Sequence, residues 1–326
     1  MKVLLTGASG FVGSHILDSL LRRGLETAIL LRPTSNTRFI TSHLTSVEVR
    51  PGSTGDPDSL GRAMAGITHV IHCAGATKAA RAAGFYEVNQ AGTRNVVSAI
   101  NGQAAQVQRL VHISSVAVTG PAPREKPARE DDPPQPVSDY GRSKLAAELE
   151  VSHHCRAGYV MLRPPAVYGP RDVEFLRLFR AVNRHLLPKP SSAQALSLVF
   201  VRDLAEAVAT CLTHPAVGGK TYFVASPEVV TARAMAVEIA AQSGAWTLPL
   251  PLPAALLWPV CLANELASRV TRRPALLNLQ KFAELRAPGW VCDPARIERD
   301  TGFVCATTLK PGIAETLTWY REHTWL

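Results

Sequence analysis

Ser115, Tyr140, Lys144 and a glycine loop near the start of the chain are the residues whose types and spacing permit chemistry. The loop reads Thr6-Gly7-Ala8-Ser9-Gly10-Phe11-Val12-Gly13, and the serine lies in His112-Ile113-Ser114-Ser115-Val116. Tyr140 and Lys144 are four positions apart, so on a helix their side chains share one face. A free phenol has a pKa of about 10 and is a poor base at neutral pH. A lysine ammonium one turn away favours the phenolate. Such a pair moves a proton to or from an oxygen that a neighbouring serine hydroxyl holds. Each motif is common by chance. In this order they imply hydride transfer between a nicotinamide cofactor and a carbonyl or alcohol, with Lys144 also reaching the nicotinamide ribose.

These residues need a scaffold that delivers them to one edge. In the first half, short apolar runs alternate with longer helical patterns, the sequence form of a parallel sheet with crossover helices. Strands are predicted at Lys2–Thr6, Thr27–Leu31, Val47–Arg50, Thr68–Cys73, Arg109–Ser114 and Tyr159–Leu162. Helices are predicted from Gly10 to Arg23, over Phe85–Ile100 and from Asp139 to Arg156. The proline- and charge-rich Gly120–Pro136 reads as a surface loop. The expected fold class is α/β: a doubly wound parallel sheet over residues 1–165, then a smaller, mainly helical substrate lobe over 166–326. Later segments return to the sheet domain, and Leu196–Val201 and Thr221–Ala225 still look like strands.

The glycine loop follows a strand and opens a helix, the context a dinucleotide motif requires. Gly7 allows a tight turn, Gly10 lets backbone approach a pyrophosphate, and Gly13 lets the helix sit close to the sheet. The helix N-terminus adds free N–H groups facing the phosphates. An acidic residue ending the second strand would bind the ribose of NAD and repel a 2′-phosphate. Here that strand ends Leu31-Arg32-Pro33-Thr34-Ser35, so Arg32 is the candidate for a forked phosphate contact, with Ser35 and Arg38 nearby. NADP(H) is therefore preferred, NAD(H) being the alternative.

The bulk composition excludes several classes. With 46% hydrophobic and 19% charged residues, the chain can bury a core and is not globally disordered. Its net charge of +9 is scattered and never forms a dense basic run, so no nucleic-acid partner is expected. Anionic ligands or an anionic membrane surface suit that charge better. The six cysteines lack any C-x-x-C pair, which suits reduced thiols used as small apolar filler. His153 and His154 are helix neighbours that point in different directions, so a metal site there is not expected. The first strand begins at Lys2 and leaves no room for a signal peptide, which gives a cytoplasmic expectation.

Taken together, these motifs resemble the extended short-chain dehydrogenase/reductase family along nearly the whole chain. The resemblance implies a Rossmann fold, with Ser115, Tyr140 and Lys144 catalytic and Thr6, Gly7, Ser9, Gly10, Phe11, Val12 and Gly13 at the cofactor. It also implies cofactor contacts from Cys73, Ala74 and Gly75, from Asn89 in Val88-Asn89-x-x-Gly92-Thr93, and from Ser114. Pro164, Ala166 and Val167, in Leu162–Pro170, resemble the segment beside the nicotinamide amide, and Asp203 resembles a helix cap. Two departures stand out. Ser53 occupies a position commonly acidic near the adenine, and Ala166 stands where nucleotide-sugar enzymes typically carry asparagine. By the same resemblance, helices near Phe85–Ile100 and Asp139–Arg156 would pair two subunits in a homodimer.

Leu248–Ala263 holds sixteen residues without a charge and includes four prolines. A helix needs about twenty apolar residues to span a bilayer, so this segment reads as lobe packing, a greasy lid or a membrane-surface patch flanked by Arg269, Arg272 and Arg273. The lobe resembles 3β-hydroxysteroid dehydrogenase-like and dihydroflavonol reductase-like members, as do Trp290–Phe303 and the helix Lys310–His323. The implied substrate is a bulky hydrophobic ketone or alcohol, with a sterol or steroid 3-keto position as the leading choice and other isoprenoids or long-chain 3-oxo compounds beside it. The alternatives are a nucleotide-sugar epimerase or dehydratase with tightly bound NAD, and a non-catalytic NADP sensor.

Overall fold

The computed structural model describes the chain except residues 104, 191–193, 253 and 272–278, and the side chains of 188–190, 251–252, 254–257, 266 and 268–270. Arg272, Arg273 and the Arg269 side chain thus lie outside the described residues.

The first half runs β1 (Lys2–Thr6), α1 (Phe11–Arg22), β2 (Glu26–Leu31), β3 (Glu48–Pro51), α2 (Pro57–Ala63), β4 (His69–His72), α3 (Ala82–Phe85), α4 (Gly92–Gly102), β5 (Arg109–Ile113), α5 (Asp139–His154) and β6 (Gly158–Arg163). The second half continues with β7 (Ala166–Tyr168), α6 (Leu176–Asn183), β8 (Leu186–Pro190), β9 (Ala195–Phe200), α7 (Val201–Thr213), β10 (Lys220–Phe223), β11 (Val229–Thr231) and α8 (Ala232–Ser243). It ends with β12 (Leu248–Leu252), α9 (Ala254–Thr271), α10 (Leu279–Arg286), β13 (Gly289–Trp290), α11 (Ala295–Thr301) and α12 (Leu309–Glu322).

The central sheet has seven strands in the order β3-β2-β1-β4-β5-β6-β10, and every neighbouring pair is parallel. Its inner strands are buried on both faces because helices cover both. On one side Ile16, Leu17 and Leu20 of α1 and Leu204 and Val208 of α7 pack on Leu5 and Val111. On the other, Leu60 of α2, Val96 and Ile100 of α4 and Val151 of α5 pack on Leu4, Val70 and Leu110. The strand order reverses between β1 and β4, so the ligand crevice of this doubly wound fold lies beyond their carboxyl ends. In the second half, α6, α8 and α12 enclose a third core built on Tyr168, Phe179, Phe200, Ile239 and Ile313. Beside it lie a small sheet of β11, β9, β13 and β7 and the two-stranded ribbon β8–β12.

Several expected elements differ in detail. The helix over Phe85–Ile100 is broken: a π-helical turn at Tyr86–Ala91 separates α3 from α4. The wide turn carries Asn89, whose side chain bonds outside the helix. Val201 opens α7 instead of ending a strand, and Val224 and Ala225 lie beyond β10. Asp203 does not cap α7. That helix starts two residues earlier, and the carboxylate accepts bonds from the Thr307 backbone N–H (2.8 Å) and hydroxyl (3.0 Å). Leu248–Ala263 divides into β12 and the first part of α9, which contains Pro259. Among the described residues no helix is long and apolar enough to cross a membrane.

Candidate active site

At the carboxyl end of β1, Gly7 has φ of +76°, and a Cβ there would lie 2.7 Å from the Ala74 backbone nitrogen. A Cβ at Gly13 would lie 2.0 Å from the Gly7 carbonyl oxygen, so only glycine lets α1 sit this close to the loop. Gly10 caps α1 without a side-chain bond and no acidic residue occupies the first turn, so the first N–H groups face outward beside Ser9. Ser114 is buried, and its hydroxyl has no partner among the described residues. A glycine cradle, free helix N–H groups and an orphaned hydroxyl fit a dinucleotide.

Behind the loop runs a buried chain of hydrogen bonds. Thr93 donates its hydroxyl hydrogen to the Asn89 carbonyl (2.6 Å), so at 3.0 Å it must accept from Nε2–H of His72. His72 Nδ1 then accepts from the Thr6 hydroxyl at 2.8 Å, and Thr6 Oγ1 accepts from the Ala74 N–H at 3.2 Å. The imidazole is neutral, because burial pushes its pKa down to about 3 and the Lys144 charge acts in the same direction. Asn89 continues the chain. Its Oδ1 accepts from the Ala76 N–H at 2.8 Å, and its Nδ2 donates to the Ala76 carbonyl (3.0 Å) and to Ser143 Oγ (2.9 Å). Ser143 in turn donates to the Tyr140 carbonyl at 2.7 Å. The ends of β1 and β4, the π turn and α5 are thereby fixed to one another.

Ser115 follows β5 and is buried, its Oγ accepting from the Ala117 N–H at 3.2 Å. Tyr140 stands in the first turn of α5, half-buried, with its phenol close enough to Ser115 for that hydroxyl to act on its titration. Gly141 permits that meeting, since a Cβ there would lie 2.5 Å from the Ala117 carbonyl oxygen. Replacing Gly141 by alanine is expected to push α5 off the Ser115 turn, with a stability loss on the order of 1–3 kcal/mol. Turnover should fall more than cofactor binding does, and denaturant melts with steady-state kinetics check both.

Burial pushes the Tyr140 phenol above its usual range; the neighbouring Ser115 hydroxyl opposes this, while the Glu284 charge adds to it. Lys144 Nζ donates to the Ile113 carbonyl at 2.6 Å, and burial lowers the pKa of its ammonium to about 8 against the opposing charge of Glu148. Desolvation outweighs the attraction between neighbours on the helix. Lys144 Nζ lies beside Gly75, 3.8 Å from where a Cβ would be.

The other sequence candidates gather along the same edge. Arg32 is exposed at the end of β2, where the Ser35 N–H bonds its carbonyl at 3.0 Å. Arg38 is drawn aside, its guanidinium 4.4 Å from the Phe39 ring centre and 5.1 Å from that of Trp325. Cys73, Ala74 and Gly75 follow β4, and burial raises the Cys73 thiol to about 12, so it is not a nucleophile. Pro164 is buried after β6, accepting the Val116 N–H at 3.0 Å, and Ala166 and Val167 begin β7. Above α5 lies α10, whose Gln280 pairs with Asp139 at 2.8 Å and 2.5 Å, beside Tyr140. Sequence reasoning assigned no role to Gly141, Ser143 or Gln280. Ser143, one turn from Tyr140, was the one detectable signal.

A family model, the NAD dependent epimerase/dehydratase family, matches residues 3–225. The chain belongs to that family. It is an extended short-chain dehydrogenase/reductase, an NAD(P)-dependent enzyme acting on CH–OH or C=O groups. Among curated family relatives, it is 30% identical to a ceramide reductase of Caulobacter vibrioides over 326 residues, covering 99% of this chain and 96% of the relative. It is also 30% identical to a UDP-glucose 4-epimerase of Vibrio cholerae over 267 residues, covering 77% and 79%. Among solved family structures, the Thermus thermophilus UDP-glucose 4-epimerase in complex with NAD superposes with a TM-score of 0.78 at 26% identity, covering 98% of this chain and 99% of that one.

Proposed function

We propose that this enzyme is an NADP(H)-dependent reductase that converts a ketone on a bulky hydrophobic lipid to a secondary alcohol. The observation that carries the reading is the placing of the Tyr140 phenol beside the buried Ser115, at the edge that bears the glycine loop. When bound, the nicotinamide supplies the hydride. Burial keeps the Tyr140 proton in place at neutral pH, the state needed to protonate a carbonyl oxygen, while Ser115 Oγ holds that oxygen. Lys144 would hold the nicotinamide ribose, and its charge would stabilise the phenolate left behind.

Arg32 supports NADP(H), because an exposed guanidinium at the end of β2 suits a 2′-phosphate and repels nothing there. Replacing Arg32 by alanine is expected to weaken NADPH use about 10- to 100-fold and leave NADH use nearly unchanged. Equal use of the two cofactors by the unaltered enzyme would overturn this preference. For the substrate, full-length likeness to a ceramide reductase favours a long-chain lipid carbonyl over a sterol or steroid 3-ketone. Screening both classes for NADPH consumption tests the choice.

A nucleotide-sugar epimerase is the second reading, favoured by the Vibrio cholerae relative. Ala166 weighs against it, since that position offers no side-chain donor to a sugar nucleotide. NAD retained through purification would support the epimerase, whereas a site that exchanges NADPH freely would support the reductase.

A further inference from the structure

We propose that the outer face of the β8–β12 ribbon, with the adjoining part of α9, docks this enzyme on an anionic phospholipid surface. This builds on the lipid-carbonyl reading of the active site. The two strands pair in parallel with Leu248 opposite Leu186. Leu187 packs into the third core, so by the two-residue period of a strand Leu186, Leu248 and Leu250 share the opposite face. All three are exposed, Leu248 at 61%. Trp246, two positions before Leu248, is 63% exposed and stacks on His185 with ring centres 4.1 Å apart. Trp258 and Val260 are exposed on α9, which starts two residues after β12 ends.

A ribbon solvated on one face places apolar residues inward and polar ones outward. Here the outward face carries Leu186, Leu248 and Leu250 in place of polar residues. Scattered exposed leucines mean little, but a contiguous patch marks a contact surface, and exposed indoles suit the boundary between water and hydrocarbon. The flanking charge identifies the partner. Helix α6 leads into β8, burying Leu176, Phe179 and Val182 in the same core as Leu187 and exposing Arg177 and Arg180 on its other side, with Arg184 exposed just past its end. Arg180 is held by the Trp325 carbonyl at 3.1 Å. Apolar residues flanked by arginines match acyl chains beneath anionic headgroups. Two copies meeting through this patch would instead bring arginine flanks together.

Flotation with vesicles of phosphatidylcholine alone, and of phosphatidylcholine mixed with phosphatidylglycerol, tests the proposal. The enzyme should float with the mixed vesicles and release in high salt. Two variants, Trp246→Ser/Leu248→Ser/Leu250→Ser and Arg177→Glu/Arg184→Glu, should each bind about tenfold more weakly or worse. Circular dichroism reports whether each is folded, and the arginine variant decides if the triple variant is not. Failure of the unaltered enzyme to float, or flotation untouched by the folded variants, overturns the proposal. So does a dimer that the triple variant dissolves without any vesicle binding. Substrate plays no part in flotation, so missing ketone turnover would bear only on the active-site reading.

Discussion

Replacing Tyr140 by phenylalanine is expected to lower turnover of a hydrophobic ketone roughly 10²- to 10⁴-fold, the range typical for loss of a general acid. Cofactor affinity should stay nearly constant. The change removes one oxygen and leaves the ring against Phe85, whose centre lies 6.1 Å away. The fixing bonds of α5 use the Tyr140 backbone, through Ser143, and not the phenol, so helix and loop should remain in place. A matched fall in kcat and kcat/KM would mark an interaction made in the transition state. Cofactor titration by fluorescence and steady-state kinetics give the two readouts. Turnover preserved in the variant would mean that the proton comes from elsewhere, and Ser115 would be the next residue to replace.

The legible parts of this enzyme are those set by spacing along the chain. The glycine loop, Ser115 and the Tyr140–Lys144 pair are short-range patterns, and a parallel sheet with crossover helices carries them to one edge. The bonds that hold them there were not legible. His72 reaches Thr93 twenty-one residues away, and Asn89 reaches Ser143 fifty-four residues away, so both depend on how elements pack. The state of Lys144 escaped for a related reason. Helical spacing showed a phenol neighbour, while burial lowers the ammonium's pKa and the Ile113 carbonyl accepts its hydrogen bond. Asp203 was misread because a helix start shifts by two residues without altering the sequence pattern. The Leu-Pro repeat of β12 carries no strand signal, since proline donates no ladder bond and is confined to edges. Its pairing with β8 became visible only in the folded chain.

Replacing Glu148 by alanine should destabilise the fold by about 3–5 kcal/mol, the cost of stranding one partner of a buried ion pair. Glu148 accepts from Arg163 Nε at 2.8 Å and from Nη2 at 2.6 Å, with both side chains less than a tenth exposed, at 5% and 7%. The pair ties the middle of α5 to the end of β6. Without Glu148, the guanidinium keeps only a 3.4 Å contact with the Glu130 carbonyl in surroundings that solvate it poorly. Changing both residues, Glu148→Leu with Arg163→Met, should recover much of the loss because no charge is left buried. Urea midpoints of the single and double variants measure this directly. A second readout concerns the chemistry. Glu148 stands one turn beyond Lys144, and its charge opposes the desolvation that lowers the ammonium's pKa to about 8. Glu148→Gln should therefore move the Lys144 titration to lower pH, since removing a nearby negative charge favours the neutral amine. A pH–rate profile whose limb near that value shifts downward would connect the buried pair to catalysis; one that stays fixed, with stability still reduced, would confine it to holding α5 against the sheet.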